Sequence, residues 1–190
     1  MALISHEKGL VYLAHPKTAS KATRQLLIDF GFERRDGHHD PLLEHPGPSW
    51  TVFTAIRNHW DAWVSWFYYT GERGLPFGVE WIERHLFRYR QYWPIDEEMW
   101  GLHTRFADRI MRFEHIERDL AEVFRRPIEL PRVNIGVRRV ATERKHYSEF
   151  YDEATREFVA ARWKDEIKRY GYSYSQGGNN AGSKENPYGR

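Results

Sequence analysis

Side chains that hold anions gather at two points of this chain. In LVYLAHPKTASKATRQLL, residues 10–27, an apolar run gives way to Lys17, Thr18, Ser20, Lys21 and Thr23. Backbone N–H groups at the first turn of a helix attract an anion, the Thr18 and Ser20 hydroxyls can donate hydrogen bonds to it, and Lys17 supplies a mobile charge. Such a corner suits phosphate or a chemical relative of it. At the second point Arg57 is followed by Ser65, about two helical turns on. A guanidinium fork there suits a dianionic group.

Both clusters need a strand that feeds directly into a helix. Leu10 to Ala14 is a continuous apolar run, as in a strand buried on both faces. From Ser20 to Phe30 the residues Ala22, Leu26, Leu27 and Phe30 recur at helical spacing, and Gly31 ends the pattern. Trp50 to Ile56 reads as a second strand, after which Asn58 caps a helix with Asp61 reaching back to it. Phe32 to Arg35 and Arg109 to Phe113 read as further strands, and Phe77 to Tyr92 and His115 to Phe124 as helices. Residues 152–169 read as one long amphipathic helix with Phe158, Val159, Trp163 and Ile167 on one face, stopped at Gly171. Alternating strands and helices predict an α/β fold, a three-layer sandwich with a central, mainly parallel β-sheet flanked by helices. Residues 1–175 are expected to form a single domain and residues 176–190 a flexible tail. In such folds ligands lie beyond the carboxyl ends of the strands, where both polar corners fall.

Composition narrows the chemistry. Twenty-nine Lys and Arg against 27 Asp and Glu give a formal charge of +2, so an anion site must be a local cluster rather than a general basic surface. No nucleic-acid partner is expected. The absence of cysteine removes disulfides and thiolate metal sites. With no signal-peptide pattern and no uncharged stretch of spanning length, the chain reads as cytoplasmic, without a membrane partner. A Walker A loop needs glycines ahead of its lysine, and none occurs between Gly9 and Gly31. Metal-dependent phosphoryl transfer from ATP is therefore disfavoured, and no metal site is expected.

The segment HPKTASKATRQLL resembles the 5′-phosphosulfate loop of the sulfotransferases, whose carbohydrate-type members read P-K-T-[AG]-G-T-[ST] between a strand and a helix. FTAIRNHWDAWVSWFYY resembles their 3′-phosphate motif, F-x-x-[VI]-R-N-P-x-[DE]-R-x-x-S-x-[YF], with His59 in place of the proline and Ala62 in place of the second arginine. MRFEHIERDLAEVF and the stretch from LPRVNIG to the final helix are similar to the segments that follow in that family, in the same order. The resemblance runs from about residue 10 to residue 172.

It implies a P-loop-like sulfotransferase fold, 3′-phosphoadenosine 5′-phosphosulfate (PAPS) as co-substrate, 3′-phosphoadenosine 5′-phosphate (PAP) as product, and metal-independent transfer of the sulfuryl group to a hydroxyl or amine acceptor, such as a glycan. Lys17 would then neutralise the leaving group, with Thr18, Ala19, Ser20, Lys21, Ala22 and Thr23 around the 5′-phosphate and Arg57 and Ser65 at the 3′-phosphate. Lys145 and Tyr147 match the family's closing loop, with Asn134, Arg138, Arg139 and Arg144 in the same basic stretch. The acceptor must lose a proton, and His38 and His39, beside Asp40 and Glu44, are the two candidate bases, with His15 and His103 as weaker ones. Two other classes make different predictions: a polyanion-binding module would bind polymers in a salt-sensitive way, and a nucleotide kinase would bind ATP with magnesium.

Overall fold

Five short strands carry the apolar residues of the sheet. The computed structural model describes residues 2–35, 44–70, 75–89, 98–131 and 146–175. The strands are β1 (Ala2–Ser5), β2 (Leu10–Leu13), β3 (Glu33–Arg34), β4 (Thr51–Ile56) and β5 (Arg109–Arg112), in the spatial order β3-β1-β2-β4-β5. β2, β4 and β5 run parallel, with Leu13 opposite Thr54 and Ile56 opposite Arg112. β1 runs against both β2 and β3. The α/β expectation holds, but the sheet is mixed rather than mainly parallel. The difference comes from β1, a strand absent from the sequence reading, which folds back from β2 through a tight turn. Gly9 makes that turn possible: its φ is +60°, and a Cβ there would stand 2.7 Å from the Ser49 carbonyl oxygen.

Strand alternation assigns the two faces. On one face Leu3, Tyr12, Phe53, Ala55 and Met111 pack against α1 (Ser20–Asp29) and α5 (Ile116–Phe124) through Leu27, Ile116 and Leu120. On the other, Ala2, Val11, Leu13 and Val52 meet Trp50 and Phe106. Ile56, at the end of β4, joins a larger aromatic core built on α2 (His59–Thr70), α3 (Val79–Tyr89) and the last two helices.

Those last helices, α6 (Glu153–Arg162) and α7 (Lys164–Tyr170), replace the single helix that periodicity predicts. Trp163 leaves helical geometry at φ −111°, ψ 29° and is buried between His59 and Trp63. The break accompanies the turning inward of Glu166, which is 2% exposed. Gly171, at φ +63°, caps α7 as the sequence predicts.

The residues after α7 tie several elements together. Arg112 Nη2 donates to the Tyr170 carbonyl, Tyr172 Oη donates to Glu114 Oε2 at 3.1 Å, Asn58 Nδ2 donates to the Ser173 carbonyl at 3.0 Å, and Tyr147 Oη donates to the Tyr174 carbonyl. Burial, together with the adjoining Glu114 carboxylate, raises the Tyr172 pKa well above the phenol's usual value, so it stays a donor at neutral pH. Among the described residues no helix is long and apolar enough to cross a membrane.

Candidate functional site

Two neighbouring strand ends bring the two polar corners into contact. Because β2 and β4 are adjacent and parallel, the loop after Leu13 and the turn after Ile56 emerge side by side. The first loop is wound tightly. Lys17 and Ala19 both have positive φ, 67° and 58°, with Thr18 of negative φ between them. For residues bearing a Cβ this conformation is strained, and such strain gathers at sites that must present backbone in a set direction. Alternation in the sign of φ is the backbone pattern of an anion-binding nest. α1 begins immediately after it, with no side-chain cap on its first turn.

The side chains of the loop divide into those that build it and those that face outward. Thr18 is fully buried, and its hydroxyl donates to the His15 carbonyl at 2.8 Å. The hydroxyl expected to cradle phosphate is thus bonded within the loop itself. His15 is buried, and its Nδ1 donates to the Pro16 carbonyl at 2.8 Å, while its ring lies 4.7 Å from that of His103 and 4.5 Å from that of Trp100. Both histidines thus pack behind the loop. Ser20 is buried at the start of α1, and its carbonyl accepts from Arg24 Nε at 3.1 Å. Ala22 and Thr23 lie on the buried side of α1, and Lys21 is exposed. Tyr12 underlies this region; burial pushes its phenol up to about 12, partly offset by Thr23, Arg24 and Thr18.

At the second corner Asn58 Oδ1 accepts from the N–H groups of Trp60 at 3.0 Å and Asp61 at 3.4 Å, capping α2 as predicted. The Asn58 N–H is met from β5's end by Glu114 Oε1 at 2.8 Å, whereas a reach back from Asp61 was expected. Asp61 Oδ2 instead holds Arg57, 2.7 Å from Nε and 2.6 Å from Nη2. Arg57 is only 4% exposed. Its Nη1 donates to the Lys17 carbonyl at 2.8 Å, and its guanidinium stacks 3.9 Å above the Phe113 ring. One arginine thus touches all three parallel strand ends. Arg57→Ala is expected to lower stability by about 2 kcal/mol, because a buried charged hydrogen-bonding group is removed and Asp61 loses these contacts; urea unfolding measures it.

Ser65 lies half-buried on α2, one turn after Asp61 and one turn before Tyr69, so the three share a helical stripe. The Lys17 ammonium reaches that stripe, with Nζ 4.3 Å from the Tyr69 ring centroid and 5.5 Å from that of Trp66. Lys17 and Arg57 therefore both reach the helical stripe that carries Ser65, Lys17 at Tyr69 and Arg57 at Asp61. Tyr147 does not join them through its hydroxyl: it is 3% exposed, in a 3-10 turn over Tyr147–Phe150, with its ring packed against Tyr151 and Tyr174. His38, His39 and Asp40, and likewise Asn134, Arg138, Arg139, Arg144 and Lys145, lie outside the described residues, and Glu44 is exposed.

The partners of several residues were missed in sequence. Asp61, four residues after Arg57, carries the spacing of a helical ion pair and could have been found that way. His59 is fully buried and shares a hydrogen bond with Glu166 Oε2 at 2.9 Å. His85, also buried, stacks among Trp63, Trp66, Trp81 and Tyr89; burial, reinforced by Arg88, pushes its pKa down to about 4, so it is neutral at pH 7. Among the described residues no group of three or more His, Asp or Glu side chains is placed to hold a metal ion. No family model matches the chain, and no curated protein or solved structure does either.

Proposed function

We propose that this chain is a sulfotransferase of P-loop-like fold that moves the sulfuryl group of PAPS to an acceptor hydroxyl or amine. The observation that carries this reading is the 2.8 Å bond from Arg57 Nη1 to the Lys17 carbonyl, because it joins the two corners whose motifs resemble the 5′- and 3′-phosphate sites. A nucleotide with anions at both extremities suits two such corners side by side.

In this reading the N–H groups of the wound loop and the start of α1 receive the 5′-phosphate. Ser65 and the Arg57 edge border the 3′-phosphate, and Lys17 lies over the sulfuryl group. The acceptor oxygen attacks sulfur in line, the bond from sulfur to the bridging oxygen breaks, and that oxygen keeps the electron pair as part of the 5′-phosphate of PAP. The acceptor's proton passes to a base, for which His38 and His39 are the candidates. Charge develops on the bridging oxygen, and the Lys17 ammonium is the group available to offset it.

Titration calorimetry decides the reading. PAP is expected to bind with one-to-one stoichiometry, whereas ATP with magnesium gives no saturable heat. Saturable binding of ATP with magnesium and none of PAP would transfer the site to a nucleotide kinase, and polymer binding alone to a polyanion module.

A further inference from the structure

We propose that Tyr69, backed by Trp66, is a positioning residue that holds the Lys17 ammonium over the open stripe of α2; the inference rests on the sulfotransferase reading for its consequence in catalysis. Lysine is a poor choice for precise placement, since its stem has four rotatable bonds and its charge is compact and strongly hydrated. Here two rings restrict it. Nζ lies 4.3 Å from the Tyr69 centroid and 5.5 Å from the Trp66 centroid, within the range in which a ring face attracts a cation. The two rings meet edge to face, 5.9 Å apart at 73°.

The pair is itself anchored on one side only. Trp66 is 5% exposed and packs against His85 with centroids 5.2 Å apart, so its ring is fixed by the core. His85, neutral at pH 7, adds no competing cation behind it. Tyr69 is 62% exposed and projects from the same helical stripe as Ser65. A tyrosine this exposed contributes little to the core, and its ring contact with Lys17 is what ties it to the loop. The ammonium is thereby held against the last turn of α2, on the helical stripe that also carries Ser65.

Two readouts on the full chain test this, using Tyr69→Leu, which removes the ring, and Tyr69→Phe, which keeps it. The first is the NMR signal of the Lys17 Hε protons, assigned by its loss in Lys17→Arg. It is expected upfield in the wild type and in Tyr69→Phe through the ring current, and shifted toward the free-lysine position in Tyr69→Leu. The second is conversion of PAPS to PAP with water as acceptor. Its kcat is expected to fall about fivefold in Tyr69→Leu and to stay near wild type in Tyr69→Phe, with PAP affinity unchanged. Identical Hε shifts in wild type and Tyr69→Leu would overturn the placement. An unchanged kcat in Tyr69→Leu, in protein that binds PAP, would overturn the catalytic part. Failure of the wild type to bind PAP, with the Hε shifts as expected, sinks the sulfotransferase reading and leaves the placement standing.

Discussion

Lys17→Ala is expected to lower the rate of PAPS conversion by about 100- to 1000-fold, the usual consequence of removing one group aimed at developing charge. The effect should fall on kcat. On the proposed reading PAP affinity should change much less, since the loop N–H groups and the second corner would remain to hold both phosphates. The substitution is clean in structural terms. Residue 17 has a φ of 67°, and alanine carries the same Cβ in that conformation as lysine, so backbone strain is nearly unaltered. The Arg57 bond is to the Lys17 carbonyl and survives the loss of the side chain. Single-turnover measurement at saturating PAPS, with calorimetry for PAP, separates the two quantities. Retention of wild-type kcat would remove Lys17 from the chemistry.

Glu166→Ala is expected to cost about 3–5 kcal/mol of folding stability, the range found when one partner of a buried pair is removed. Oε2 accepts from the Met99 N–H at 2.8 Å and lies 2.9 Å from His59 Nε2, and Oε1 accepts from the Trp100 N–H at 2.7 Å. All three partners belong to residues that are at most 2% exposed, so no water replaces the lost acceptor. Glu166→Gln keeps one acceptor oxygen and the side-chain volume, but sets an amide N–H₂ against other donors, and should fall between the two. Urea midpoints for the three proteins give the order. An unchanged midpoint in Glu166→Ala would contradict the assignment. His59 opens α2 two residues after Arg57, so the same substitution is expected to loosen the second corner.

The parts of the fold that could be read in sequence are those with strong local signals. β2, α1, β4 and α2 announce themselves through an apolar run followed by helical spacing, and each lies within a residue or two of its expected place. β1 escaped because four residues, ALIS, give no usable period, and its antiparallel pairing is a tertiary choice. The break at Trp163 escaped for a related reason: apolar spacing continues through it, since Val159, Trp163 and Tyr170 are all buried. Yet Glu166 falls in that same register, and an acid in an apolar stripe marks a buried partner elsewhere. At the site, the residue types of both corners were legible. The contact of Lys17 with Tyr69 was not, because it depends on how α2 crosses above the first loop, and no local pattern encodes that crossing.

The short stretch from Tyr170 to Tyr174 bonds to residues from β5, from the turn before α2, and from the 3-10 turn at Tyr147. Such long-separation contacts form late when a chain emerges in order from its amino end. The second corner is therefore completed by residues synthesised more than a hundred positions after Asn58. Until they arrive, Asn58 and Arg112 lack these carbonyl partners, so the second corner is completed only by the last of the described residues.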